Sequence, residues 1–341
     1  MKNLTLGVIG VDHRHIFGQL GKMLELGCVC KGWWTEGDPA PVAGFLERFP
    51  DVPRVADRDS LLQDPEIDMI LIADVPARRA ARAIEAMQAG KDVMTDKPGC
   101  TTLEQLDSIK ACAAENGSIW SIDFSERFEV PAVTRAAELI AEGRIGKVVQ
   151  TVGLGPHRLN RPTRPDWFFN EAEYGGILTD IASHQIDQFL FFTRSNDAEI
   201  ISSTVANFAN PSDTGLQDFG EINLRSDHGL GYIRVDWYTP DGLPTWGDGR
   251  LTILGTEGYI ELRKYVDVAG REGTNHVFVV NGDSCEYINA TDAALPYFEQ
   301  LIHDVIHRTE TAMPQKHCFK VMELALKAQA QAVRLGALSK V

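Results

Sequence analysis

Positive charge is in short supply: 33 Lys and Arg stand against 48 Asp and Glu, a formal net charge of −15. Repulsion from phosphate backbones and anionic membrane surfaces argues against nucleic acid or a membrane as a partner. Long apolar runs are missing too. None approaches the roughly 18 residues of a membrane span, and the run after Met1 is cut at Asp12, too early for the apolar core of a signal peptide. A cytoplasmic location is expected. Cysteine is scarce, with six at 28, 30, 100, 112, 285 and 318 and no C-x-x-C pair; this suits a reducing compartment. Cys28 and Cys30 are expected as small apolar core residues on one face of a strand.

Glycine is missing where it would matter most. The stretch "LTLGVIGVDHRHIFGQL", Leu4 to Leu20, reads as strand, glycine, helix, the opening of a dinucleotide-binding fold whose fingerprint is G-x-G-x-x-G. Gly10 fills the first position, but Asp12 and His15 stand at the other two. Helix N-terminal amides bind phosphate without every glycine, provided the side chains turn away. Asp12 is therefore expected to turn outward or cap the helix. His13 and His15 either donate to a pyrophosphate, reach toward a substrate, or pack.

The 341 residues suffice for two domains of common size. Over 1–125, the apolar segments "LTLGVI", "CVCKGWW", "MILIA", "DVMT" and "SIWSIDF" alternate with helical patterns such as "PARRAARAIEAMQAG". That alternation predicts a doubly wound parallel sheet of Rossmann type. From Gly146, "EINLRSDHGLGYIRVDWYT" and "RLTILGTEGYIELRKYV" read as strand, glycine-containing turn, strand. Residues 126–341 are thus expected as an α+β domain with a mostly antiparallel open sheet, the whole chain being α/β in class. It closes with a helix from Asp292, striped by Leu295, Phe298, Leu301, Ile302, Val305 and Ile306, and a second helix from about Cys318 to Leu338. The uncovered sheet face would suit a homodimer or homotetramer interface.

Three stretches carry chemistry. In "GKDVMTDKPGC" Lys97 falls at the carboxyl end of a strand, where open α/β sheets bind ligands; a solvated loop is the alternative. In "YGGILTDIASHQIDQFLFF" Asp180, His184 and Asp187 recur at i, i+4 and i+7, on one side of a helix. A carboxylate one turn from a histidine stabilises its protonated form for proton transfer near neutral pH; a buried structural histidine is the competing reading. Without a further ligand the trio is an incomplete metal set, so no metal is expected. In "GPHRLNRPTRPDWFFN" His157, Arg158, Arg161 and Arg164 cluster beside Trp167, Phe168 and Phe169. Arginine forks suit carboxylates, which points to an anionic, sugar-like substrate; alternatively these arginines pair with Asp166 and Glu171 or brace the loop. Beyond the second strand, Glu36 falls where such folds bind the adenosine ribose, favouring NAD over NADP.

Over nearly its full length the chain resembles the Gfo/Idh/MocA oxidoreductases. Asp96, Lys97 and Pro98 match their E-K-P motif with Asp for Glu. Gly175, Gly176, Asp180, His184 and Asp187 match their G-G-G-x-x-x-D-x-G-x-H-x-x-D motif, with Tyr174 and Ala182 replacing two glycines. "SERFEVPAVTRAAELIAEGRIGKVV" resembles the segment joining the family's two domains. The resemblance implies a nicotinamide-dependent dehydrogenase acting on a sugar, polyol or related hydroxyl compound. Lys97, Asp180 and His184 would be catalytic: His184 the principal acid/base, Lys97 a polariser of the substrate oxygen, Asp180 their partner. Gly10, Asp12, His13, His15, Glu36, Asp74, Pro76, Asp96 and Lys97 would line the cofactor. Arg127, His157, Arg158, Arg161, Arg164, Trp167, Asp180 and His184 would face the substrate. Ala77 and Ala80 in "DVPARRA" stand where the family has Asn and His. That departure, with Asp12, His15 and Asp96, keeps open a non-catalytic ligand-binding relative; a lyase or hydrolase using NAD for transient oxidation is a second alternative.

Overall fold

The computed structural model describes residues 3–336. The chain forms two compact units. The first comprises the chain up to Asp123 together with Ala172–Gly175 and Pro296–Met322. It opens with β1 (Thr5–Val11), α1 (Ile16–Glu25), β2 (Val29–Trp34), α2 (Pro41–Arg48) and α3 (Asp59–Leu62). It continues through β3 (Met69–Ala73), α4 (Pro76–Gln88), β4 (Asp92–Asp96), α5 (Leu103–Asn116) and β5 (Trp120–Asp123). All five strands are parallel, in the order β2-β1-β3-β4-β5. A parallel sheet covered on both faces demands strands apolar throughout, and every residue of "MILIA" in β3 is buried. All five expected strands are present. Cys28 is buried just before β2, and Cys30, within it, is only partly buried.

In the second unit α6 (Ser125–Phe128) and α7 (Pro131–Ala141) precede β6 (Val148–Pro156). After α8 (Glu171–Tyr174), which from Ala172 on belongs to the first unit, come α9 (Ile177–Asp180) and α10 (Ala182–Thr193). The strands β7 (Glu199–Ala206), β8 (Phe219–Arg225), β9 (Leu230–Asp236), β10 (Arg250–Gly255), β11 (Gly258–Arg263), β12 (His276–Asn281) and β13 (Cys285–Asn289) follow. Both expected hairpins form, β8 with β9 and β10 with β11. The sheet alternates buried and open positions strand by strand, as in β8 and β9. One face carries Leu251, Ile253, Ile260, Leu262, Val277 and Val279 into a core shared with α7. The opposite face leaves Leu230, Leu254, Tyr259 and Tyr287 exposed.

The end of the chain departs from expectation. Helix α11 (Tyr297–His307) joins the first unit, where Tyr297 meets Ser121 at 2.8 Å and Arg308 pairs with Asp92. Helix α12 (Gln315–Gln331) ends before Leu338, which lies outside the described residues. A short strand, β14 (Val333–Leu335), follows and pairs in parallel with β7. β14 pairs the backbone groups that the edge of β7 would otherwise leave open.

Candidate functional site

In the first unit the broken fingerprint and the altered E-K-P motif are one structure. Gly10 has φ +85°, and a Cβ there would strike the main chain of Asp74, so the first glycine is kept for close approach. Asp12 does not cap α1; its carboxylate accepts from Thr35 Oγ1 at 3.3 Å, beyond β2. The N–H groups of Asp12 and His13 both donate to the Ala73 carbonyl, at 3.0 and 3.1 Å. His13 and His15 turn toward Asp96, their Nδ1 atoms 2.9 and 2.8 Å from its two oxygens. Burial opposes charge on Asp96, but His15, Arg79 and His13 beside it hold its carboxyl well below the usual range. An ionised carboxylate only accepts, so both rings donate Nδ1–H to it. Burial also pushes His13 down to about 4, against the pull of Asp96.

Arg79 completes this hub and was not anticipated. Fully buried on the first turn of α4, it donates to the carbonyls of Asp74 (2.7 Å), Asp96 (2.9 Å), Lys97 (2.5 Å) and Pro98 (3.0 Å), and to Asp96 Oδ2 (3.0 Å). The turn bearing Lys97, itself 5% exposed, is thereby fixed to α4. The ligating atoms of His13, His15 and Asp96 lie within 4.8 Å of one another, and Arg79 donates to the same carboxylate. Asp74 is likewise engaged, by Val75 N–H (2.7 Å) and Arg82 Nε (2.9 Å), and Pro76 is buried at the start of α4. Exposed Glu36 meets Arg78 Nη1 at 3.0 Å and Arg82 at 3.7 Å.

Burial and the charge of Asp74 push Asp12 up to about 6. A carboxyl raised in the folded state favours folding below its unfolded pKa, and that contribution is lost as pH rises through about 6. Asp12→Asn removes the loss. Relative to wild type the variant should be about 1–2 kcal/mol more stable at pH 7.5 than at pH 4.5. Urea unfolding at both pH values checks this, and an equal difference at the two would refute it.

In the second unit Asp180, His184 and Asp187 are all buried. They do not share one helix as the spacing predicts: the path breaks at Ile181, so Asp180 ends α9 while His184 and Asp187 belong to α10. Asp187 is held bidentately by Arg127, at 2.6 and 2.7 Å, and that guanidinium also lies over the rings of Phe128 and Phe191. Arg127 thus braces α10.

The basic cluster also braces, through partners other than those expected. Arg158 donates to the Pro240 and Leu243 carbonyls, Arg164 to those of Leu159 and Arg158, and Arg161 pairs with Asp213. Arg164 lies over Phe168 and Trp237, and Trp167 packs against Phe168. His157 bonds the Gly155 carbonyl at 3.0 Å and packs between Trp237 and Trp246. Among the described residues no helix is long and apolar enough to cross a membrane.

Residues 37–124 match the family model described as an oxidoreductase family with an NAD-binding Rossmann fold, and residues 133–261 match the GFO/IDH/MocA C-terminal domain. A crystal structure from Erwinia carotovora atroseptica SCRI1043, described as a candidate oxidoreductase, is 44% identical, with a TM-score of 0.95 over 98% of this chain and 100% of that one. The NADP+-dependent scyllo-inositol 2-dehydrogenase IolW of Bacillus subtilis is 28% identical over 42% of this chain and 39% of its own. The NAD+-dependent scyllo-inositol 2-dehydrogenase of the same organism is 26% identical over 68% and 65%. Across the curated relatives the matched stretches span 34% to 65% of their own length. With both domains matched in order, the chain belongs to the Gfo/Idh/MocA family of oxidoreductases.

Proposed function

We propose that this protein is a nicotinamide-dependent dehydrogenase acting on a hydroxyl carbon of a sugar or polyol. The observation that carries the reading is Lys97, a nearly buried lysine directly beyond the carboxyl end of β4, in a turn that Arg79 clamps at four carbonyls. Lysine is almost never so buried unless it is paired, and the end of a parallel strand is where such sheets bind ligands. The residues present fit a dinucleotide: Gly10 lets the loop close over Asp74, the N-terminus of α1 carries partial positive charge, and Glu36 stands beyond β2. Gly10, the start of α1 with His13 and His15, and Glu36 would hold it. When bound, the nicotinamide accepts the hydride. Lys97 donates to the reacting oxygen, His184 takes the hydroxyl proton, and Asp180 favours the imidazolium that results.

Since Arg158, Arg161 and Arg164 are engaged in the loop, the reading favours neutral, hydroxyl-rich substrates over sugar acids. A panel of polyols, aldoses and sugar acids, followed by the absorbance of reduced nicotinamide, tests this. Net reduced cofactor supports a dehydrogenase; product release without it would favour a lyase or hydrolase, and binding alone a non-catalytic relative. For the cofactor we favour NAD, because Glu36 opposes a 2′-phosphate. Its pairing with Arg78 gives a sharp expectation: Glu36→Ala releases Arg78 while Arg82 stays on Asp74, and NADPH should gain about tenfold over NADH in fluorescence titrations. An unchanged ratio would exclude Glu36 as the discriminator. A second copy of the chain is proposed to cover the open sheet face, making a homodimer or homotetramer; sedimentation as a monomer at micromolar concentration would exclude it.

A further inference from the structure

Buried charge in the second unit is concentrated at a place the proposed chemistry does not use. Glu126 on α6 and Lys264, directly after β11, are 2% and 1% exposed, and Lys264 Nζ donates to Glu126 Oε2 at 2.7 Å. Two glutamines of α10 join them. Gln185 Nε2 donates to the same oxygen at 3.0 Å, and Lys264 donates to Gln188 Oε1 at 2.9 Å. Gln188 Nε2 in turn donates to the carbonyl of His184 at 2.9 Å. The seat for Gln185 is cut into β6: a Cβ at Gly153 would stand 2.9 Å from Gln185 Cγ, and one at Gly155 2.7 Å from its Nε2.

Burying an ion pair seldom adds stability, because desolvating two charges offsets their attraction, and apolar residues of similar volume fill such a space at lower cost. The position of this pair suggests another role. It is bonded directly to Gln185, the residue that follows His184, and through Gln188 to the carbonyl of His184. Both donors sit on Glu126 Oε2, while Oε1 has no partner among the described residues. Burial opposes its ionisation, but Lys264, His184 and His157 hold the carboxyl down at about 2, so it is charged across the working range.

We propose that Glu126, fixed by Lys264, is a positioning residue for His184: through Gln185 and Gln188 it locks the first turn of α10, and it supplies a permanent negative charge that favours the protonated imidazole. The inference rests on the proton-transfer role proposed for His184, but its test needs no turnover. Other charged groups on the elements packed against α10 are Asp180 of α9, Arg127 of α6 paired with Asp187, Arg234 and Asp236 of β9 paired at 3.1 Å, and His157 after β6. All are retained in the variants, so the comparison isolates the pair.

The test is an NMR titration of the full chain labelled at histidine, with the His184 signal assigned by its loss in His184→Asn. Glu126→Gln should lower the His184 midpoint by about half a pH unit or more, whereas Glu126→Asp, which keeps the charge, should stay nearer wild type. Because Glu126→Gln strands a buried ammonium, the double variant Glu126→Gln/Lys264→Met is titrated as well, and its midpoint should also fall. An unchanged midpoint in either neutral variant, with wild-type circular dichroism, overturns the proposal. Full turnover by His184→Asn would instead overturn the role of His184 and leave the titration result standing.

Discussion

Alanine at His184 is expected to lower kcat by about 10²- to 10⁴-fold, the usual contribution of a positioned general base, with NADH affinity unchanged. Affinity should survive because none of the residues proposed to hold the cofactor is altered. The imidazole is 2% exposed, so deletion also opens a cavity. His184→Asn, closer in volume, separates lost chemistry from lost packing: both variants should be inactive, and the Asn form should melt near wild type. Lys97→Met should fall as far, through loss of the donor to the reacting oxygen. Undiminished turnover by either variant would refute that residue's assignment.

Replacing Arg79 with methionine should destabilise the protein by about 3–5 kcal/mol, the range for removing one partner of a buried charge pair. Four carbonyls and Asp96 Oδ2 would lose their donor together. Arg79→Lys retains the charge, yet one ammonium cannot reproduce a planar fork of five donors, so it should recover only part of the loss. Urea unfolding gives the measurement. A midpoint within error of wild type for Arg79→Met would show that the turn is held by other means.

The five parallel strands and both hairpins were legible because each rests on a local pattern: an apolar run ending at a turn. The hub around Asp96 was not. Asp96 follows His15 by 81 residues, and Arg79 sits in "ARRAAR", which reads as a solvated helical face. One signal was available: two arginines in the first turn of a helix oppose the macrodipole, so a neighbouring acid was to be sought. The Glu126–Lys264 pair spans 138 residues and left no local trace. The arginines after β6 were read as facing a ligand or bracing their loop; an irregular loop leaves carbonyls that need donors, and Arg158 and Arg164 supply them.

The hub also bears on ancestry. Since Asp96 carries both imidazoles and Arg79, restoring a glycine at position 15 alone would remove one of its donors, and restoring glutamate at 96 alone would push a longer side chain into a filled space. Either single exchange therefore costs stability at the hub. Relatives should carry His13, His15, Arg79 and Asp96 as a block or lack them as a block, and chimeras that split the block should be recovered as insoluble protein.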